Sequence, residues 1–337
     1  MEEVQAYPVE DPNPYIGQLY SGMDKHGFQV TRLSLGSSSA RTLHIHWPEY
    51  LLRISGRPVS FVAWKVLARL FLKRMRGGRI IWTVHNEWPH DTPNTWANRT
   101  ALQAFLAVCS DLIFLSTGSQ ERFCGQYPFL TKRVGKHVIP HGHYLDIYPN
   151  KVAKAEARRD LAVAEDAEIG LFFGSLRGYK GIEELVHSFS KLDRAQAKLL
   201  VAGRSRPEFS DHYRALFGTD ERINYTLDWV EPSRVQFYFN AADFVILPYT
   251  QVTNSGVLYL ALSFRKLVVA KRHPVFEELA NGQFRDWLLL YDQELDASTW
   301  QQAVRRSRDL LKAEVPDLTP FSWETIRRQT CEVYRQG

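Results

Sequence analysis

The chain has few cysteines and no long apolar run, and each absence excludes a class of protein. Only three of its 337 residues are cysteines, and they show neither the spacing of metal ligands nor a disulfide framework. The most apolar segment, residues 61–72, is interrupted by Lys65 and Arg69, so it falls short of the roughly 20 apolar residues that span a bilayer. We therefore expect a protein of a reducing compartment that is soluble or peripheral to a membrane.

The N-terminus lacks the features of an export signal. Glu2 and Glu3 stand where a secretory leader would carry a basic segment followed by an apolar one. We therefore expect a cytoplasmic location. The formal net charge of +5 is a mild basic excess, which favours anionic substrates or membrane surfaces but is too weak alone to indicate nucleic acid.

Acidic residues are absent from residues 51–85, which hold eight lysines and arginines. Lys65, Arg69, Lys73 and Arg76 recur at helical spacing and form one stripe of a predicted helix. Such a helix lies on an anionic membrane surface, or it packs an apolar stripe on a sheet and leaves its cations in water. The lack of acids favours the membrane, and no nucleic-acid reading motif accompanies the charge. The apolar stripe consists of Trp64, Leu67, Ala68, Phe71 and Met75.

Strand-like and helix-like segments alternate along the chain, which is typical of α/β architecture with parallel sheets. A hydrophobic content of 45% and a length of 337 residues favour two domains. The alternation pauses near residues 140–160 and restarts at Ile169, so we expect two Rossmann-like domains facing across a ligand cleft. The charged stretch Lys151–Arg159 is interpreted as a domain edge.

The strongest motif opens the second series. Residues 169–173 have the apolar pattern of a buried strand, and Gly174 and Gly178 predict a sharp turn after it. Arg177 and Lys180 then precede an amphipathic helix, where backbone N–H groups hold an anion best. The segment predicts a diphosphate site, and the alternative is an ordinary strand–helix turn with two solvated cations.

Four segments, taken in order, resemble the GT-B glycosyltransferases, particularly the group close to family 4. Thr253–Leu258 resembles the T-x-S-G-V-L sequence of a branch that includes bacterial exopolysaccharide transferases, some of which use GDP-mannose on a lipid-linked acceptor. The resemblance covers nearly the whole chain and rests on order and spacing. The four segments are Val138–Gly142, Phe173–Gly181, Ala242–Tyr249 with Asn254–Gly256, and Phe321–Glu324.

The resemblance implies a fold and an activity. The expected domains are residues 1–140 for the acceptor, 141–315 for the nucleotide-sugar donor, and 316–337 as a helix returning to the first domain. The expected enzyme is a hexosyltransferase that moves mannose from a GDP- or UDP-linked sugar to a lipid-linked saccharide in exopolysaccharide assembly. It would work peripherally at the inner face of the plasma membrane, without cofactor or metal. The alternatives are a soluble transferase with a small-molecule acceptor and a non-catalytic nucleotide-sugar-binding protein.

The implied donor site combines the diphosphate loop with a second helix start. Gly174, Arg177 and Lys180 would hold the diphosphate, and backbone amides of a helix start would add to them. Ser255 is either a ligand contact or a plain N-cap. Two glutamates of many family-4 enzymes are replaced here by Thr253 and Ala261, which leaves the ribose contact unassigned. The residues of the helix start are Thr253, Asn254, Ser255 and Gly256.

Polar residues after two predicted strands of the first half supply the catalytic candidates. An inverting transferase needs one positioned base for the acceptor hydroxyl. Asp91 and Glu87 are the candidates for that base, and His85 is either base or sugar contact. Glu49 is a reserve candidate, beside a strand whose alternation places two histidines on one face as packed residues. Those histidines are His44 and His46.

Overall fold

Two compact units make up the molecule. The structure is a computed structural model that describes residues 1–11, 13–36, 40–54, 59–88, 93–312 and 315–336. Unit 1 comprises residues 1–142 together with the segment from Thr319 onward, and unit 2 comprises residues 143–318. Each unit is described by itself below.

Unit 1 is built from strands and helices that alternate along the chain. Its strands are β1 (Glu2–Tyr7), β2 (Phe28–Arg32), β3 (Thr42–Ile45), β4 (Arg79–Val84), β5 (Asp111–Phe114) and β6 (Gly135–Val138). Its helices are α1 (Pro14–Tyr20), α2 (Pro48–Leu51), α3 (Phe61–Met75), α4 (Trp96–Val108), α5 (Thr117–Gln126) and α6 (Pro128–Thr131).

Unit 2 repeats the alternation. Its strands are β7 (Glu168–Phe173), β8 (Ala197–Ala202), β9 (Ile223–Thr226), β10 (Phe244–Leu247), β11 (Leu267–Lys271) and β12 (Leu288–Tyr291). Its helices are α7 (Lys154–Asp160), α8 (Ile182–Ser190), α9 (Ser210–Phe217), α10 (Pro232–Ala241), α11 (Gly256–Ser263), α12 (Pro274–Asn281) and α13 (Ala297–Leu310). A final helix, α14 (Trp323–Arg335), belongs to unit 1.

The described strands form one parallel sheet in each unit. The order is β2-β1-β3-β4-β5-β6 in unit 1 and β12-β11-β10-β7-β8-β9 in unit 2. Register is continuous across each sheet, for example with His44 opposite Ile81 and Phe172 opposite Val201. Helices cover both faces of such sheets, which is why β3, β5 and β10 are buried along their whole length. The predicted α/β architecture with two Rossmann-like domains is confirmed.

Helix α14 completes unit 1. Ser322 caps its N-terminus by accepting a hydrogen bond from the Thr325 N–H at 3.2 Å. At its C-terminus, the Arg79 guanidinium of β4 donates to the carbonyl oxygens of Val333 and Tyr334, at 2.9 and 3.0 Å. The Val333 carbonyl otherwise accepts only a 3.4 Å hydrogen bond from the Gln336 N–H, so the cation completes the bonding of the helix end and favours the helix dipole.

Gly142, which ends the Val138–Gly142 turn, is a glycine because Trp323 of α14 packs against it. A Cβ built at this position would lie only 2.3 Å from Trp323 Cε2. Any larger residue would therefore push the first turn of α14 outward.

Helix α7 contains one buried cation. Most of the stretch 151–159 is exposed, yet Arg158 is only 2% exposed. Its guanidinium donates to an Asp243 carboxylate oxygen at 3.0 Å and to the Ala167 carbonyl at 3.0 Å. An arginine with its donors satisfied in this way can be buried. The interpretation of this stretch as a domain edge stays a prediction.

Candidate active site

The loop after β7 turns sharply beside the start of α8. Gly174 has a φ of +107°, a conformation that residues with a Cβ rarely adopt. A short 3-10 turn, Gly178–Lys180, follows, and Gly181 at φ +66° precedes α8. Gly178, predicted to allow the sharp turn, does not have a positive φ, and Gly181 takes the left-handed conformation instead.

Lys180 lies inside this loop. Its Nζ is 5.4 Å from the centre of the Tyr249 ring, and a Cβ on Gly174 would lie 3.2 Å from that same nitrogen. Burial, reinforced by the Arg177 charge, lowers the pKa of Lys180 to about 8. Two cations are therefore held near one another in a partly desolvated loop, where a bound anion would stabilise both.

The loop is joined to the segment that follows β10. The Thr250 N–H and hydroxyl both donate to the Tyr179 carbonyl, at 2.9 and 3.0 Å. A Cβ on Gly174 would also lie 3.5 Å from Val257 in the first turn of α11. The structure thus brings Gly174 and Lys180 beside the helix that begins at Gly256, as a diphosphate site requires.

Residues just before α11 have mixed roles. The Ser255 hydroxyl accepts from the Leu258 N–H at 3.2 Å, so it is the N-cap of α11. Thr253 is buried, Asn254 is partly exposed, and Ala261 is fully buried in the helix. The donor role of these residues stays a prediction.

In unit 1, the candidate catalytic residues follow β3 and β4. His85 is 7% exposed, with its ring stacked on Trp47 at a centroid distance of 4.7 Å and edge-on to Tyr15 at 4.9 Å. Burial, together with His141 and His44, lowers the pKa of His85 to about 3. His85 is therefore a neutral imidazole at physiological pH.

The carboxylate candidates have different surroundings. Glu87 accepts a hydrogen bond from Arg122 Nε at 2.6 Å in a partly exposed ion pair. Glu49 is buried in the first turn of α2. Asp91 lies outside the described residues, as does His90, so the structure tests neither. The identity of the base stays a prediction.

A cluster of imidazole and phenol rings packs beside His85. Tyr20 of α1, His44 in β3, His46 just after β3, and Tyr334 of α14 share hydrogen bonds of 2.6–3.2 Å. His44 and His46 are packed, as the strand alternation predicts. The described His, Cys, Asp and Glu side chains form no group of three or more that could hold a metal ion.

Sequence reasoning missed the aromatic partners of this cluster. No sequence pattern singles out Tyr20 or Trp47. Tyr334 is 290 residues from His44, the residue that it contacts. Only the return of α14 to unit 1, which the resemblance implies, could have indicated a contribution from that part of the chain.

Helix α3 exposes apolar side chains beside its cations. Its sheet-facing side consists of Ala63, Val66, Leu67 and Leu70. Of the predicted apolar stripe only Leu67 is buried, so the interpretation that this stripe packs on the sheet is wrong. Exposed fractions are 73% for Phe61, 42% for Trp64, 52% for Phe71, 50% for Leu72 and 69% for Met75.

The cations of α3 form a stripe next to this exposed apolar one. Lys65, Arg69 and Arg76 are exposed, and Lys73 is partly exposed. Lys65 Nζ lies 4.7 Å from the centre of the Phe61 ring. None of the helices in the described ranges is long and apolar enough to cross a bilayer.

Comparisons with known proteins agree with this architecture. Residues 167–307 match the family model described as glycosyl transferases group 1. The chain is 28% identical over 340 residues to a GDP-mannose:glycolipid 4-beta-D-mannosyltransferase of Xanthomonas campestris pv. campestris, covering 98% of this chain and 90% of the relative.

Solved structures share the fold at low identity. A sucrose-phosphate synthase from Thermosynechococcus elongatus aligns with a TM-score of 0.72 and 19% identity, covering 100% of this chain and 99% of that one. Anabaena HepE, in complex with UDP and glucose, aligns with a TM-score of 0.70 and 14% identity, covering 100% of both chains.

The chain has the GT-B fold, with one parallel Rossmann-like sheet in each unit. Its unit 2 contains a glycosyl transferases group 1 domain. The protein is a hexosyltransferase that resembles the Xanthomonas mannosyltransferase along nearly its whole length.

Proposed function

We propose that this enzyme transfers mannose from GDP-mannose to a lipid-linked saccharide at the cytoplasmic face of an anionic membrane, in exopolysaccharide assembly. The observation that carries the proposal is helix α3, which presents an apolar stripe and a basic stripe side by side. The name of the Xanthomonas relative supports both the donor and a glycolipid acceptor.

Unit 2 supplies the donor site in this proposal. Arg177 and Lys180 would hold the diphosphate, and the backbone N–H groups at the start of α11 would add to them. Charge builds up on the diphosphate as the sugar leaves, so fixed cations stabilise the transition state more than the ground state. Arg177→Ala should therefore cost about 10- to 100-fold in kcat/KM for GDP-mannose.

Unit 1 would take the acceptor. A polyprenyl-diphosphate saccharide is anionic and anchored in the bilayer, so an enzyme that lies on the membrane meets it at high local concentration. Each Lys or Arg near an anionic surface contributes about 1 kcal/mol to binding. The exposed aromatic side chains of α3 would enter the interface between headgroups and acyl chains.

The test combines vesicles and turnover. The variant in which Lys65, Arg69, Lys73 and Arg76 all become Gln should no longer sediment with anionic phosphatidylglycerol vesicles. It should lose transfer to a lipid-linked saccharide and keep its affinity for GDP-mannose. A matched variant also removes four exposed cations outside α3 and should behave like the wild type. Its changes are at Lys132, Arg133, Lys151 and Lys312, each to Gln.

Three outcomes would contradict the proposal. Unchanged vesicle binding and transfer in the α3 variant would exclude the membrane role and favour a small-molecule acceptor. Binding of another nucleotide in preference to GDP, in a thermal-shift panel with UDP, ADP and dTDP, would exclude the donor. Absence of turnover and hydrolysis with every nucleotide sugar would favour a non-catalytic binding protein.

A further inference from the structure

Arg53 stands where helix α2 ends in a left-handed turn. The Arg53 N–H donates to the Tyr50 carbonyl at 3.1 Å, and the Ile54 N–H donates to the Glu49 carbonyl at 2.9 Å. This pair of hydrogen bonds is a Schellman motif, whose left-handed residue is usually glycine. Here that residue is Arg53, with a φ of +56°. The motif fixes the Arg53 backbone in a conformation that a side chain disfavours.

The conformation alone does not indicate a function. Arg265 has a φ of +55° in the same motif at the end of α11, where the Lys266 N–H donates to the Ala261 carbonyl at 2.9 Å. The two arginines differ in their place in the fold. Arg265 directly precedes β11, at the amino edge of the sheet in unit 2, whereas Arg53 comes after β3 in unit 1.

Tyr7 shows that Arg53 lies at the carboxyl edge of the sheet in unit 1. Tyr7 is the last residue of β1, and its carbonyl accepts from the His46 N–H at 2.9 Å. Burial raises the pKa of the Tyr7 phenol, while the Arg53 charge opposes this shift and the Glu49 charge adds to it. The Arg53 charge is therefore near the Tyr7 hydroxyl, at the edge where parallel α/β sheets bind their ligands.

The Arg53 guanidinium is available to a ligand. Its side chain is exposed, and none of the side chains in the described ranges forms a hydrogen bond or an ion pair with it. Tyr50, in the same turn, is 51% exposed, and Trp47 at the start of this loop stacks on His85. An unneutralised cation beside the candidate acceptor residues is suited to an oxyanion carried on a saccharide.

We propose that Arg53 binds an oxyanion of the acceptor, a phosphate oxygen of the diphosphate that links its saccharide to lipid. The nature of that acceptor rests on the proposed function. A planar guanidinium can make two parallel hydrogen bonds with a phosphate, which fixes orientation as well as position. The phosphate of a membrane lipid headgroup offers the same chemistry, and vesicle binding distinguishes the two sources.

Glycine is the informative substitution at this position. Arg53→Gly removes the guanidinium and supplies the residue that a φ of +56° favours, so the variant should be at least as stable as the wild type. Arg265→Gly makes the same change in the same motif and is the matched control. Thermal unfolding should give both variants a Tm at or above that of the wild type. Weaker acceptor binding by Arg53→Gly alone would then reflect the missing charge.

The first test measures binding without turnover. Farnesyl diphosphate is a soluble probe for a lipid-linked diphosphate, and the nucleotide that binds best in the thermal-shift panel is added in excess to fill the donor site. Isothermal titration calorimetry should show the probe binding about tenfold more weakly to Arg53→Gly than to the wild type. Arg265→Gly should match the wild type, and Arg53→Lys should bind more tightly than Arg53→Gly. Equal affinity of Arg53→Gly and the wild type, or no binding to the wild type, would overturn the proposal.

The second test distinguishes the acceptor from the membrane. Arg53→Gly should sediment with phosphatidylglycerol vesicles as the wild type does, and reduced sedimentation would assign Arg53 to lipid headgroups instead. Its KM for the diphosphate-linked saccharide should rise about tenfold, with kcat and the KM for the donor changed less. With an alkyl glycoside of the same saccharide, which lacks the diphosphate, the two proteins should have equal KM values.

The two tests fail in different ways. An equal rise in KM with both acceptors would exclude recognition of the oxyanion by Arg53. Absence of transfer by the wild type to either acceptor would refute the proposed function, whereas the farnesyl diphosphate titration would still decide whether Arg53 binds a lipid diphosphate.

Discussion

Lys180 is a cation whose charge depends on what lies beside it. Burial and Arg177 lower its pKa to about 8, so it is only partly protonated just above neutral pH when no anion is bound. A diphosphate would raise that pKa, and linkage then requires affinity to fall as the pH rises above 8.

We expect the affinity for GDP-mannose to fall about tenfold between pH 7 and pH 9. Isothermal titration calorimetry measures this directly. Lys180→Arg is the control, because a guanidinium stays charged over this range and ionisation of the guanine base affects both proteins equally. Equal pH profiles for the two proteins would mean that Lys180 does not contact the diphosphate.

Single residues also show where sequence reasoning stops. The glycines and cations after β7 could be predicted, because a strand, a turn and a helix leave backbone N–H groups at one place. The contacts of His85 could not, because Tyr20, Trp47 and Tyr334 carry no signature beyond being aromatic. Their proximity depends on how α1, α2 and α14 pack, and no local pattern encodes that packing.

At the scale of a single element, the exposed aromatic side chains of helix α3 give a prediction about membrane binding. Trp64 and Phe71 should contribute to membrane binding through apolar burial, which salt does not screen. The double variant Trp64→Gln/Phe71→Gln should bind vesicles about tenfold more weakly, or worse. Full burial of an apolar side chain is worth about 1.5–3 kcal/mol, which sets the upper bound for each substitution. Co-sedimentation at 0.1 and 0.5 M salt is the measurement.

The basic and aromatic variants should differ in their response to salt. The remaining binding of Trp64→Gln/Phe71→Gln should be more sensitive to 0.5 M salt than that of the wild type, since charge then supplies a larger share of it. Leu72→Gln with Val62→Gln removes two other exposed apolar residues of α3 and tests whether the stripe or the whole helix surface matters. Unimpaired binding by the Trp64/Phe71 variant at both salt concentrations would exclude these side chains as membrane anchors.

The same helix shows what periodicity can and cannot predict. Strand β7 coincides with the strand predicted at residues 169–173, because a strand buried on both faces gives a distinct apolar run. Helix α3 is apolar around much more of its circumference than one face needs. Periodicity therefore locates the helix but does not identify its buried side. The side with Val66 and Leu70 is buried, although the side with Trp64 and Phe71 is equally apolar in the sequence.

The whole molecule should respond unevenly to acid. His44 and His85 in unit 1 have pKa values lowered to about 3 by burial, and His141 to about 4. In the unfolded chain these histidines have pKa values near 6.5. Below that pH the unfolded state therefore binds protons that the folded state does not bind. Stability is therefore lost as the pH falls from 6.5 toward 4.

At pH 5 each of these histidines should lower the free energy of unfolding by about 2 kcal/mol relative to neutral pH. The three together should lower it by roughly 6 kcal/mol. That sum is comparable to the whole stability of many domains, so unit 1 should become marginal. Hydrogen exchange followed by mass spectrometry, corrected for intrinsic rates, should show lost protection in α1, β3 and α14 at pH 5. Peptides of unit 2 are the internal control. Equal protection of unit 1 at pH 7 and pH 5 would contradict the prediction.

Helix α14 has a consequence for how the protein is made. Within unit 1, Trp323 of α14 packs against Gly142, and the last carbonyls of α14 accept hydrogen bonds from Arg79. All of unit 2 lies between these partners in the sequence. A ribosome adding about 5–20 residues per second needs roughly 9–35 s to pass from residue 142 to residue 319. During that interval the first sheet lacks its last helix. Nascent chains arrested within unit 2 should therefore carry a unit 1 that is more sensitive to protease than unit 1 of the released protein.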